Sequence, residues 1–218
     1  MKKNKMMRMA SGLLVAALLT TSMISGTFAK YTTAISRSDT ARVAKWGVKI
    51  DATGNTFANS YNEKNAATAT VSSTDKVVAP GTNGNMATMS LSGTPEVAVK
   101  VSYTGEFSLD DNWVVGQNKD FYCPLVITVK NASGTTEIKQ GDSINSKKDF
   151  EDAVNNAIAA YSTTYEANKD LSTVGDDSLT VTWSWPYTGD DTKDTALGDA
   201  TTAANVTLKV TTTVTQID

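Results

Sequence analysis

The chain has 218 residues, 20 of them basic and 23 acidic, with one cysteine and no histidine. The lack of histidine excludes a Ser-His-Asp triad, a Cys-His pair and an HExxH zinc site. A single cysteine cannot form an internal disulfide, so packing must stabilise the fold.

The first 29 residues have the features of a secretory signal peptide. A basic head precedes an apolar run from Met9 to Ile24, which is most hydrophobic over Leu13–Leu19. Thr27 and Ala29 supply small residues three and one positions before a cut between Ala29 and Lys30. The alternative is a transmembrane anchor, but the apolar core is well short of the roughly 20 residues that a bilayer requires.

Cleavage there would change the charge of the chain. It removes four basic and no acidic side chains, which shortens 218 residues to 189 and leaves 16 basic against 23 acidic ones. Such an acidic chain is poorly suited to nucleic acid or to an anionic membrane surface. We therefore expect no nucleic-acid partner and a mature form that is not embedded in a membrane.

Residues 30–40 follow as an N-terminal arm that contains no glycine or proline. If this arm is extended, Tyr31, Thr33 and Ile35 lie on one face, and the other face is small or polar. This pattern suits a donor strand that adds to the sheet of another subunit. The alternatives are a leader without fixed structure and a strand that pairs within its own domain.

The rest of the chain, residues 41–218, alternates apolar and polar side chains with a period of two, as half-buried strands do. Turn residues such as Pro80-Gly81 and Asn83-Gly84 separate the runs. The pattern predicts an all-β fold, a sandwich of two packed antiparallel sheets. Cys123 lies in one apolar run, so we expect a buried, inert thiol. The alternating runs are Ala44–Ile50, Ala87–Leu91, Val97–Tyr103, Leu125–Val129, Leu179–Trp185 and Val206–Val214.

One segment departs from this period. Ser146, followed three residues later by Asp149, resembles a weak capping box. Apolar residues then recur at spacings of three and four, which predicts one amphipathic helix over about 147–167, inserted between strands. We expect its apolar stripe to pack on the core; a partner-binding helix is the alternative. The stripe consists of Phe150, Val154, Ala157, Ile158, Tyr161 and Tyr165.

The acidic residues give only weak evidence for a metal site or a catalytic site. Asp190, Asp191 and Asp194 are weak candidates for a Ca²⁺ site, because carboxylate oxygens suit that ion but their spacing does not match an EF-hand loop. Adjacent pairs such as Asp110-Asp111 are more typical of solvated turns than of glycosidase carboxylates, which face each other across a cleft. We predict no catalytic residue, no metal and no cofactor.

Several stretches resemble the TasA/camelysin family, secreted biofilm-matrix proteins of Gram-positive bacteria with SipW-type signal peptides. The signal end "SGTFA" and the arm "KYTTAISRSDTARVAKWGVKI" carry most of the likeness. The stretches "APGTNGNMATMSLSGTPEVAVKVSYTG" and "LTVTWSWPYTGDDTKDTALGD" are similar to clostridial-type members. The resemblance implies a jelly-roll fold and secretion to the extracellular matrix or cell surface. It also implies that the subunits assemble head to tail into fibres by N-terminal donor-strand addition. Its partners would be other copies of itself, and signal peptidase during export. The protease activity attached to camelysin has no support here, because the chain has no histidine.

A secreted carbohydrate-binding or adhesin-type module is the alternative function. Trp113, Trp183, Trp185 and Tyr187 could stack on sugar rings if they are exposed. Trp183 and Trp185 share the parity of Leu179 and Val181, however, which favours a position in the core.

We predict that the secreted protein begins at Lys30, because Thr27 and Ala29 fit the specificity of a signal peptidase. N-terminal sequencing of the extracellular protein checks this. Residues 1–29 retained on that form would contradict it, whereas a cut a few residues away would only change the length of the arm.

Overall fold

The computed structural model describes residues 42–53, 78–173, 178–187 and 189–217. This part of the chain is mostly β, with antiparallel sheets and two helices, which confirms the prediction of a β-rich fold at that level. The helices are α1 (Lys147–Ala159) and α2 (Asp191–Gly198), and a 3-10 turn spans Leu171–Thr173. The strands are β1 (Val48–Thr53), β2 (Asn83–Gly93), β3 (Val99–Leu109), β4 (Val114–Val115), β5 (Asp120–Phe121), β6 (Val126–Asn131), β7 (Gly134–Ile138), β8 (Ser162–Tyr165), β9 (Leu179–Ser184) and β10 (Val206–Gln216).

The strands form two larger sheets and one small hairpin. The first sheet has the order β1-β2-β9-β6-β7, and the second has the order β10-β3-β8. β4 and β5 pair only with each other. Every pair of neighbours is antiparallel, as expected of half-buried strands that are polar on their second face.

The core is built from the alternating strands. Leu179, Val181 and Trp183 of the central strand β9 are almost fully buried, whereas the threonines between them are partly exposed. Val181 and Trp183 lie opposite Val129 and Ile127 of β6, so the two strands contribute to the same apolar face. A single hydrophobic cluster contains the buried side chains of both larger sheets and of α1.

The predicted helix over 147–167 is correct at its start and wrong at its end. Ser146 accepts a hydrogen bond from the Asp149 backbone N–H at 3.1 Å, as a helix N-cap does. The helix ends at Ala159, however, and residues 162–165 form β8, which pairs with β3. A spacing of four, as between Tyr161 and Tyr165, fits both a helix and a strand, and the Ser-Thr-Thr run between these tyrosines favours the strand.

The acidic segment after Gly189 contains a short helix, α2, which the sequence analysis does not predict. Asp190 caps the start of α2, and its carboxylate accepts a hydrogen bond from the Lys193 backbone N–H at 3.1 Å. Only Asp194 and Leu197 of this short helix are buried. Two buried residues do not form an apolar stripe that could be recognised in the sequence, so the pattern does not predict this helix.

The first predicted strand exists, but its apolar face is not buried. β1 spans Val48–Thr53 and pairs with β2, yet Ile50 is 42 % exposed. Trp46, just before the strand, is 44 % exposed. Alternation predicts which side chains share a face, but it does not say whether anything covers that face.

Helix α1 protects one edge of the second sheet. β8 pairs only with residues 99–102 of β3, so no described strand pairs with the rest of that edge. There the Asn155 side chain bonds to the N–H and the C=O of Phe107, at 2.7 and 3.2 Å, and Glu151 accepts from the Leu109 N–H at 2.8 Å. Gly105 permits this approach, because a Cβ there would lie 2.7 Å from Ile158.

We predict that Asn155→Ala lowers the free energy of unfolding by about 1–3 kcal/mol, because the Phe107 N–H and C=O would lose their partner. Asn156→Ala is the matched control, since Asn156 lies on the exposed face of the same helix. Urea unfolding of both variants measures the difference. Equal stability of the two variants would show that this edge gains nothing from Asn155.

Candidate functional site

The residues predicted to act in secretion and assembly lie outside the described part of the chain. These are the cleavage residues Ala29 and Lys30 and the donor-strand residues Tyr31, Thr33 and Ile35. Their predictions therefore stay predictions. The described residues instead show what surfaces the domain offers to a partner.

The three acidic candidates for a metal site have structural positions. Asp190 caps α2 and lies 3.4 Å from the Lys193 ammonium, and the backbone N–H of Lys193 is the main cause that lowers the Asp190 pKa. Asp191 is exposed in the first turn, where a negative charge favours the helix dipole. Within the described ranges, no three metal-binding side chains of the His, Cys, Asp or Glu type come together.

Asp194 is a buried carboxylate with a specific partner. The Tyr122 hydroxyl donates to Asp194 Oδ1 at 2.6 Å, and the Lys193 ammonium lies 5.5 Å from the centre of the Tyr122 ring. Burial, together with the hydrogen bond to Asp194, raises the pKa of Tyr122 above its ordinary value near 10. The pair ties α2 to the end of the β4–β5 hairpin and keeps the buried carboxylate hydrogen-bonded.

The aromatic residues considered for sugar stacking lie mainly in the core. Trp183 and Trp185 are 2 % and 5 % exposed, which confirms the interpretation from parity. Trp113 is also buried and donates its indole N–H to the Asn205 carbonyl at 2.7 Å. Of the four, only Tyr187 is exposed, and its ring covers Gly81, where a Cβ would lie 2.2 Å away.

Cys123 is buried, as expected, and burial raises the pKa of its thiol to about 12. The thiol is therefore protonated at neutral pH and is a poor nucleophile. It borders a surface cavity of about 560 Å³ whose rim includes Lys139 and Lys193. Each of these lysines is paired with a carboxylate of the protein, Lys139 with Glu137 at 2.8 Å and Lys193 with Asp190 at 3.4 Å.

The edges of the sheets show more clearly than this cavity where a partner could bind. β1 and β7 are the outer strands of the first sheet, and β10 and β8 are those of the second. β10 is eleven residues long and pairs with β3 without a break in register, while no described strand pairs with its other edge. The inward side chains of β10 are only partly buried, although the inward residues of β3 beside them are almost all fully buried.

The comparisons with known proteins give no assignment. No model of a protein family matches the chain, and no curated protein is significantly similar to it. Among the residues described above, no helix is both long enough and apolar enough to cross a bilayer.

We predict that Tyr122→Phe lowers the free energy of unfolding by about 1–3 kcal/mol at pH 7, because buried Asp194 would lose its hydrogen-bond donor. Tyr187→Phe is the control, since that ring is half exposed. The Tyr122 pKa is raised in the folded protein, so its contribution is fully present below about pH 10 and is lost as the pH rises further. Urea unfolding at neutral and at alkaline pH measures this contribution. The difference in free energy of unfolding between wild type and Tyr122→Phe should be smaller at alkaline pH.

Proposed function

We propose that this protein is a secreted structural subunit of extracellular fibres, as in the TasA/camelysin proteins that its sequence resembles. Each subunit donates its N-terminal arm to a sheet of the next, which gives a head-to-tail homopolymer in the extracellular matrix or at the cell surface. One observation carries the proposal. The outer edge of β10 has no partner among the described strands and lies beside apolar side chains that are only partly buried, and strand addition requires such an edge.

The proposal includes the packing and the connectivity of the two larger sheets. Both larger sheets contribute buried side chains to one hydrophobic cluster, and β10 of the second sheet approaches β2 of the first. This supports two sheets packed face to face as a β-sandwich, with the jelly-roll connectivity that the resemblance implies.

The arm can supply the energy of assembly. Burial of Tyr31 and Ile35 would contribute about 1.5–3 kcal/mol each. Each backbone hydrogen bond in the new ladder would add about 0.5–1.5 kcal/mol, before the cost of ordering the arm. Because apolar and polar residues alternate along the arm, a shift of one residue turns Tyr31 and Ile35 to the wrong face.

Two other functions receive no support from the described residues. The aromatic residues proposed to stack on sugar rings do not form an exposed face, because Trp113, Trp183 and Trp185 are buried and only Tyr187 of the four is exposed. An enzyme would need a group of reactive side chains, and Cys123 is held in its protonated form by burial. We therefore retain the structural subunit as the proposed function.

We predict that Ile35→Asp abolishes filament formation by the mature protein, because it places an unpaired charge in an apolar interface. Ala34→Asp adds the same charge to the adjacent residue, which lies on the opposite face of an extended arm, so this control should still assemble. Negative-stain electron microscopy and sedimentation measure filaments, and far-UV circular dichroism checks that both variants are folded.

Filaments of Ile35→Asp that match those of wild type would overturn the donor-strand mechanism. A mature protein that lacks residues 30–39 is a second test of the donor-strand mechanism. If that protein assembles like wild type, the arm is only a leader between the cleavage site and the domain.

A further inference from the structure

The orientation of the backbone in β10 can be worked out from its ends. In an antiparallel pair, residues that exchange hydrogen bonds alternate with residues whose N–H and C=O point away from the partner. The Asp110 N–H donates to the Asn205 carbonyl at 3.0 Å, and the Ile217 N–H donates to the Ala98 carbonyl at 2.9 Å. Both contacts fit one continuous register between β10 and β3, so the odd-numbered residues of β10 are the ones bonded to β3.

The even-numbered residues therefore direct their N–H and C=O groups to the outer edge. From Val206 to Val214 the same residues carry the inward side chains, because burial there alternates between partly buried even positions and exposed odd positions. A guest strand in register with them would meet backbone groups and apolar side chains together. The partly buried even-numbered residues, four of them apolar, are Val206, Leu208, Val210, Thr212 and Val214.

The β10 edge lacks the devices that usually protect an edge strand. Such strands are commonly short, bulged, or interrupted by proline or by inward-pointing charges. β10 has no proline, its register with β3 is unbroken, and its one charged side chain, Lys209, lies on the outer face in an ion pair with Glu106 at 2.7 Å. Its edge is an open template for a further strand.

The other edges of the two larger sheets fit a ten-residue guest less well. β8 has four residues, and beyond it Asn155 and Glu151 of α1 occupy the backbone of β3. β7 has five residues and β1 has six, about 17 and 20 Å of edge, whereas β10 offers about 36 Å. Ten extended residues span about 33 Å.

We propose that the outer edge of β10 is the acceptor site, and that its occupant is the segment 30–39 of a second copy of this chain. This inference rests on the proposed function and adds the place where the arm binds. The arm pairs with the even-numbered residues of β10 and extends the second sheet to four strands. Tyr31 and Ile35 lie over the half-covered side chains of Leu208, Val210 and Val214.

The test is a complementation between two defective subunits. Val210→Pro removes one outward N–H without touching a bond to β3, since proline is tolerated at the free side of an edge strand. This variant keeps its arm but loses its acceptor, whereas Ile35→Asp keeps its acceptor but loses its arm. Each variant alone should be monomeric, and their equimolar mixture should form a 1:1 dimer and no filaments, as measured by light scattering coupled to size exclusion.

A pair of lysine variants serves as control and covers the case in which Val210→Pro does not fold. Val210→Lys places a charge on the inward face of β10 and should lose assembly. Thr211→Lys places the same charge one residue further on, on the outer face, and should form filaments like wild type. Thermal melting verifies that both are folded.

The outcomes separate the two proposals. If Val210→Pro and Val210→Lys form filaments while Ile35→Asp does not, the arm acts elsewhere and the β10 assignment is wrong, although the proposed function stands. If the two defective subunits are monomeric alone and still give no dimer when mixed, β10 is not the acceptor. If Ile35→Asp assembles like wild type, the proposed function fails and this inference fails with it.

Discussion

The hydrogen-bonding capacity of strand edges is the constraint on which this structure depends. Every edge strand carries backbone N–H and C=O groups that need partners or water. On one side of β3 the chain meets this need with β8 and then with two side chains of α1, Asn155 and Glu151. On the other side it adds β10 and no further described strand. The two edges of this sheet therefore differ: one is a short strand beside a part that α1 covers, and the other is a long strand with no described partner. Such a difference suits head-to-tail contact.

The alternation of side chains was enough to predict the buried strands. Leu179, Val181 and Trp183 of β9 follow the period of two, and all three lie in the core. The same rule could not distinguish β9 from β10, whose Leu208 and Val210 alternate with polar residues in the same way. Among the described strands, β9 has a partner on each side and β10 has a partner on only one side. That difference comes from pairing between distant segments, which local sequence does not contain.

The two errors in the helices have local causes. The predicted helix was too long because a spacing of four, between Tyr161 and Tyr165, equals about one helical turn and also two repeats of a strand. The second helix was missed because α2 buries only Asp194 and Leu197 and has almost no apolar face. Its start signal, Asp190 before a second aspartate, was present but was interpreted as a possible cation site. A capping residue and a metal ligand have the same carboxylate, and only its neighbours separate the two roles.

The geometry of the proposed contact determines the form of the assembly. In the proposed contact, each subunit carries one donor, the arm, and one acceptor, the β10 edge. Such a heterologous contact closes into a ring only when its rotation permits, and otherwise it continues as an open filament. The expected excess of acidic side chains in the mature chain opposes lateral clumping of neighbouring filaments. In the proposed assembly, backbone pairing along one edge would add subunits lengthwise and charge would keep the filaments apart, which together would favour thin fibres over amorphous aggregates.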